Sequence, residues 1–173
     1  MKVITTSMEG VLFVERESFK DARGEFLETY NEAEYKKQGI AVDFLEDDIS
    51  VSVKDVLRGI HGNDETWKLV SCLHGKVFFV VVNCDKNSAG FGTWESFDLN
   101  DVNHASILVP PLHGAAYCAL TDKVIFHYKQ SAYYNPKGQF TYRFDEPKFG
   151  IRWPIKNPIL APRDAAAKYI GEE

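Results

Sequence analysis

The sequence predicts an all-β fold, a sandwich or barrel fringed by short peripheral helices. Three observations carry this reading. Short apolar, β-branched and aromatic runs recur along the whole chain, clusters of turn-forming residues separate them, and only two stretches have helical character. No repeat, low-complexity tract or Pro/Gly/Ser-rich linker divides the 173 residues, so a single domain over 1–173 is expected. With 45% hydrophobic residues, that domain can bury one sizeable core.

VLFVERESF (11–19) is the first strand-like run, and DARG (21–24) supplies residues tolerant of turn geometry. NEAEYKKQG (31–39) reads as a helix that stops at Gly39. DFLEDDISVSV (43–53) and VLRGIH (56–61) follow as strands, with GNDE (62–65) as a turn before WKLVSCLHG (67–75). KVFFVVVNC (76–84) contains the unbroken apolar run VFFVVV, which predicts a strand buried on both faces. TWESFDL, ASILVPP, AAYCALTD, VIFHYKQSAYY and QFTYRF continue the pattern, separated by loops such as NDVN (100–103) and NPKG (135–138). RDAAAKYI (163–170) reads as a second helix near the end.

A net charge of -5 gives no broad attraction to nucleic acid or anionic lipid, so neither is expected as a partner. An anionic ligand must be caught by a local cluster instead. No apolar run approaches the ~20 residues that span a bilayer, and the amino terminus lacks the form of a signal peptide. Cys72, Cys84 and Cys118 are odd in number, far apart and set in apolar runs, which predicts reduced, buried thiols and a cytoplasmic protein.

The densest chemistry lies in RGIHGNDETWKLV (58–70), where Arg58, His61 and Lys68 fall close together. Side chains alternate faces along a strand, so Arg58 and His61 do not automatically share one. Gly59 and Gly62 can change that by bulging the chain. His74 and His104 sit in turn or loop sequence and are expected to face solvent, while His127 on a strand can point either way. A metal site of the kind β-barrels hold needs paired histidines and an acidic ligand. This stretch offers HGN and a lysine, so no metal is expected. GxSxG, P-loop and GxGxxG motifs are missing from the sequence. What remains is histidine, lysine, arginine and tyrosine, an inventory suited to proton abstraction beside a carbonyl: a base, a cation for the enolate oxygen and a hydroxyl acid.

Several ordered motifs, spread over nearly the whole chain, resemble the sugar-nucleotide 3,5-epimerases typified by dTDP-4-dehydrorhamnose 3,5-epimerase. FKDARGEFLETY is similar to that family's F-x-D-x-RG-x-F-x-E pattern through Phe19, Asp21, Arg23, Gly24, Phe26 and Glu28. SVSVKDVLRGIHG and KLVSCLHGKVFFVVVNCDKNSAGFGTW are similar to its central signatures, and HYKQSAYYNP, FGIRWP and ILAPRD to its carboxyl-terminal ones. The resemblance implies a cupin-type jelly roll, no cofactor, a nucleotide-sugar substrate, and a homodimer whose amino-terminal segments complete the neighbour's site. It implies His61 as general base, Asp164 as the carboxylate that orients it, Lys68 beside the C4 oxygen, and Tyr128 as the acid on the opposite face. Arg23 and Arg58 match binders of the diphosphate and sugar, with Glu28, Gln139 and Arg163 as lesser matches.

The departures are specific. Gly62 and Asn63 stand where an aromatic residue and a glutamine are usual, which places Asn63 among the expected substrate contacts. Glu46, Asp47 and Asp48 replace a QDN triplet, and Ala115 replaces a second histidine, with His113 two residues earlier. The RGIHG form resembles a subgroup acting on GDP-linked 4-keto-6-deoxy heptoses in capsule synthesis, so a GDP-heptose is the favoured substrate and a dTDP-hexose the second. A sugar-nucleotide 3,4-ketoisomerase and a non-catalytic sugar-nucleotide-binding cupin are the competing readings.

Overall fold

The computed structural model describes residues 1–172. In chain order its strands are β1 (Lys2–Thr5), β2 (Leu12–Glu15), β3 (Ser18–Asp21), β4 (Gly24–Leu27), β5 (Glu46–Val53), β6 (Leu57–Gly62) and β7 (Lys68–His74). They continue as β8 (Lys76–Asn83), β9 (Trp94–Asn100), β10 (Ser106–Val109), β11 (His113–Ala119), β12 (Lys123–Gln130) and β13 (Phe140–Thr141). One antiparallel sheet runs β1-β2-β10-β7-β12-β5 and a second runs β13-β6-β11-β8-β9, while β3 and β4 form a separate hairpin. The two large sheets face each other as a jelly-roll barrel.

The main core fills the space between them, with Val70, Val77, Phe79, Val81, Leu99, Ile107 and Phe126 all buried. The VFFVVV run shows why β8 reads as continuously apolar. Val77, Phe79 and Val81 point into the barrel, whereas Val80 and Val82 point outward against Phe149 in a second cluster. The segment after β13 wraps that outer face, its Trp153 ring edge-on to Phe78 at 5.9 Å. Burial on both faces of β8 is therefore completed by the segment that follows β13, which covers the outer one.

Strand β5 has the reverse of the usual amphipathic order. Glu46, Asp48, Ser50 and Ser52 share one parity, and Glu46, Asp48 and Ser50 line the barrel cavity. The other parity puts Ile49, Val51 and Val53 outward, 63%, 56% and 60% exposed. It is also an edge strand, paired with β12 alone.

The helix expected over NEAEYKKQG is α1 (Glu32–Lys37). The Asn31 side chain caps it by accepting from the Glu34 amide, Glu32 and Glu34 occupy the first turn, and Lys36 and Lys37 the last. Gly39 follows at φ 88°, the left-handed geometry that ends helices. The helix buries Tyr35 against Val14, Ile40 and Leu108, a contribution of roughly 1.5–3 kcal/mol. The second expected helix is much shorter. Only Pro162–Ala165 (α2) is helical, because tertiary contacts claim the residues beyond it: the Tyr169 ring stacks on Arg143 and the Ile170 amide donates to Glu146. Cys72, Cys84 and Cys118 are free and buried, and burial pushes their thiols up to about 11, 12 and 11. Among the described residues no helix is long and apolar enough to cross a membrane.

Candidate active site

A cavity of about 670 Å³ opens between the sheets, walled by β5, β7 and β12 on one side and by β6 and β11 on the other. His61, Lys68, Tyr128, Asp164, Arg58 and Arg163 all line it, as does Gln139.

A bulge brings Arg58 and His61 together. In the pairing of β11 with β6, Ala115 opposes His61 and Tyr117 opposes Arg58, so two residues on β6 face one on β11. The extra residue reverses parity, and both side chains reach the cavity. Gly59 permits the bulge: its φ is +127°, and a Cβ there would lie 2.3 Å from the Ala116 Cβ. The bulge that the sequence showed Gly59 and Gly62 could make is present at Gly59.

His61 Nε2 lies 2.5 Å from Asp164 Oδ1. Asp164, on α2, is only 3% exposed, and its Oδ2 accepts from the Gly59 amide at 3.4 Å. With Nε2 engaged by the carboxylate, Nδ1 is the ring nitrogen left to take a proton. Lys68 opens β7, and burial first, then Arg163, push its ammonium below the ordinary lysine range. Among the described residues it has no salt-bridge partner. Tyr128 sits on β12, its phenol pushed up first by burial and then by Asp48, with Arg58 opposing. The phenol is thus held protonated. Arg58 is steadied by its Nε donating to Ser52 Oγ at 3.1 Å, and Ser52 in turn bonds the Tyr117 hydroxyl at 2.9 Å. Arg163 donates to Thr141 Oγ1 through Nε at 2.9 Å and Nη2 at 2.5 Å.

Three expected contacts lie elsewhere in the chain. Asn63 is buried and does not line this cavity; its amide donates to Thr66 Oγ1 at 2.6 Å and accepts from the Thr66 amide at 2.9 Å. Those bonds use the side chain to close the loop before β7. Arg23, at the tip of the β3–β4 hairpin, is 91% exposed and paired with Asp21. Glu28 follows the same hairpin and accepts from Asn31. Neither lines the cavity of its own chain. Ala115 does line it, while the His113 ring turns to the Pro111 carbonyl. His74 faces solvent as expected, but His104 is mostly covered, its Nε2 3.0 Å from Glu25 of β4. His127 points outward to Asp47 at 2.6 Å. Glu46 and Asp48, which the sequence marked only as replacing a QDN triplet, line the cavity, and sequence reasoning missed Gln130 there, although the polar alternation through EDDISVS is visible in the sequence.

The fold is that of the cupin barrels, and His61 with its carboxylate shares the barrel cavity with Tyr128 and Lys68. The relatives of this chain place the fold among the isomerases that act as epimerases on sugar nucleotides. The chain belongs to the dTDP-4-dehydrorhamnose 3,5-epimerase family, whose sequence profile matches residues 5–172. It is 37% identical to the dTDP-4-dehydrorhamnose 3,5-epimerase of Methanothermobacter thermautotrophicus, over 99% of this chain and 95% of that protein. The crystal structure of a dTDP-6-deoxy-D-glucose-3,5-epimerase from Legionella pneumophila, in complex with dTDP-4-keto-L-rhamnose, superposes with a TM-score of 0.92 at 33% identity. That match covers 97% of this chain and 92% of the other. A 3'-monoepimerase from Streptomyces bikiniensis, in complex with dTDP-quinovose, matches with a TM-score of 0.89 at 28% identity, covering 95% of this chain and 85% of that one.

Proposed function

We propose that the protein epimerises C3, C5 or both in a nucleotide-linked 4-keto-6-deoxy sugar without a cofactor. One observation carries the reading: the His61–Asp164 pair and Tyr128 line one cavity that also holds Lys68. The C4 ketone acidifies the hydrogens on its neighbouring carbons. His61 Nδ1 takes one, the resulting enolate oxygen rests against the Lys68 ammonium, and Tyr128 returns a proton to the opposite face, so the centre inverts. Arg58, Arg163 and Gln139 hold the sugar diphosphate.

For the nucleotide, the names of the relatives above favour a dTDP-linked hexose. They lend no support to the GDP-linked heptose that the RGIHG motif suggested. One is a monoepimerase, so the number of centres inverted is part of the question. The working unit is a homodimer. An apolar outer face on an edge strand is normally covered, and Phe19 and Phe26 stand exposed on the β3–β4 hairpin. A second copy bringing that hairpin to this cavity gives Arg23 and Glu28 the substrate contacts they lack within one chain. Three buried free thiols suit a reducing cytoplasm.

The test is incubation in deuterated water with dTDP-4-keto-6-deoxyglucose and, separately, a GDP-linked 4-keto-6-deoxy heptose, with NMR of the products. Deuterium at an inverted C3 or C5 of the dTDP sugar is expected. A product with its carbonyl moved to C3 would make the protein a ketoisomerase, and no deuterium in either sugar would make it a binding protein. Faster turnover of the heptose would restore the GDP assignment.

A further inference from the structure

The cavity holds a second set of titratable groups that the proton transfers above do not use. Asp48 of β5 is directly opposite Tyr128 of β12 in the antiparallel ladder, and Glu46 is opposite Gln130. Directly opposed residues have Cβ atoms about 4.5–5.5 Å apart on the same face. Gln130 is buried, and its Nε2 donates both to Glu46 Oε1 at 2.7 Å and to Asp48 Oδ2 at 3.0 Å. Two carboxylates are thereby held side by side on the strand paired with Tyr128, where the Asp48 charge is felt by the phenol.

Each inversion leaves a problem at this spot. Once Tyr128 gives its proton to carbon, a phenolate remains in a half-buried cavity facing an acidic strand. It must regain a proton before the next turnover. We propose that Asp48, fixed by Gln130 and coupled to Glu46, resupplies the proton that Tyr128 spends, making it the positioning residue for the acid half of the reaction. This rests on Tyr128 being the acid.

The protons balance. The substrate C–H proton goes to His61, the Tyr128 proton goes to the opposite face of the same carbon, and the Asp48 proton goes to the phenolate oxygen. Solvent returns one proton to Asp48 and takes one from His61. Burial first, and then the neighbouring Glu46 and Asp47 charges, raise the Asp48 carboxyl above the ordinary aspartate range, with the Gln130 bond opposing. A raised carboxyl is protonated at higher pH, as a donor must be. The other charged or titratable groups lining this cavity include Lys68 of β7, Arg58 and His61 of β6, and Arg163 and Asp164 of α2. Asp47 points away, toward His127 and Lys129.

The experiment separates inversion from exchange with dTDP-4-keto-6-deoxyglucose in deuterated water. Exchange with retention needs only His61, whereas inversion needs Tyr128 recharged. Asp48→Asn keeps the shape and can still accept from Gln130. It should slow inversion about tenfold or more, as loss of a proton-transfer group does, while His61-side exchange stays within about twofold of wild type on the same scale. In the wild type, inversion should fall as pH rises through the Asp48 titration, because the protonated acid is the active form. Glu46→Gln removes a like charge, lowers the Asp48 titration and should move that limb to lower pH. It also serves if Asp48→Asn does not fold. Inversion and exchange falling together, or neither falling, overturns the relay. Tyr128→Phe decides the underlying reading: if inversion survives it, Tyr128 is not the acid and the relay falls with it. If inversion is lost there but kept in Asp48→Asn, the relay alone is wrong.

Discussion

Replacing Asp164 with Asn tests whether the carboxylate acts through His61. The side chain is buried, its Oδ1 is 2.5 Å from His61 Nε2, and its Oδ2 accepts from the Gly59 amide. During abstraction the imidazole gains a proton, and the bond to Asp164 becomes charge-assisted, worth about 1.5–3 kcal/mol. At about 1.4 kcal/mol per tenfold, losing that charge slows turnover roughly 10- to 150-fold. Removing the base itself with His61→Asn should be worse, about 10²–10⁴-fold. An amide nitrogen facing the Gly59 N–H leaves one buried donor unpaired, about 1–3 kcal/mol, which lowers the melting temperature by roughly 2–12 °C at this chain length. The assay is initial-rate deuterium wash-in by NMR, with thermal melts run on the same preparations. A loss below about threefold would remove Asp164 from the chemistry, since even the low end of the bond's worth exceeds it. A loss equal to that of His61→Asn with an unchanged melt would refute the orienting role and make Asp164 a proton carrier.

Two further outcomes follow from the same geometry. Gly59→Ala places a methyl group 2.3 Å from the Ala116 Cβ at φ +127°, so the β6–β11 bulge cannot persist. The expected result is destabilisation of about 2–5 kcal/mol in chemical denaturation, together with loss of activity; a variant with wild-type stability would show that the bulge tolerates a side chain. Lys68, its ammonium pushed down by burial and Arg163, should lose its charge earlier than an exposed lysine as pH rises. Activity should therefore fall on the alkaline side through a limb that Lys68→Met abolishes along with most of the rate. An alkaline limb unchanged in Lys68→Met would assign it to another group.

The strands of the barrel were legible because each apolar run is bracketed by turn residues, and β8 announced its two-sided burial through VFFVVV. His61 and Arg58 could be joined only conditionally, since their spacing puts them on opposite faces of a regular strand and a glycine merely permits a bulge. The structure supplies what the spacing could not. The hairpin β3–β4 was hidden because FKDARGEFL reads as a turn with short flanks, and β1 because four residues are too few for a pattern. The second helix was overextended because alanine-rich propensity was outweighed by the contacts of Tyr169 and Ile170. Asn63 is engaged in a way the sequence did not reveal. A polar residue beside a catalytic histidine looks like a ligand contact until its loop partner Thr66, three residues away, is seen to use both ends of its amide.

Strand β5 leaves the molecule with a competing arrangement close at hand. Sliding it by a single residue along β12 would exchange its two faces. Ile49, Val51 and Val53 would then enter the barrel, each gaining about 1.5–3 kcal/mol of burial. Glu46 and Asp48 would leave it. Such a barrel would be drier and inert. Hydrophobic burial within one chain therefore selects against the working register, and other contacts must hold it. The Leu45 amide donating to the Gln130 carbonyl at 2.8 Å anchors one end of the strand, and Asp55, with a φ of 66°, turns the chain at the other. A partner covering the outer stripe would remove the incentive to slip, so assembly would guard the cavity's polarity as well as complete its walls.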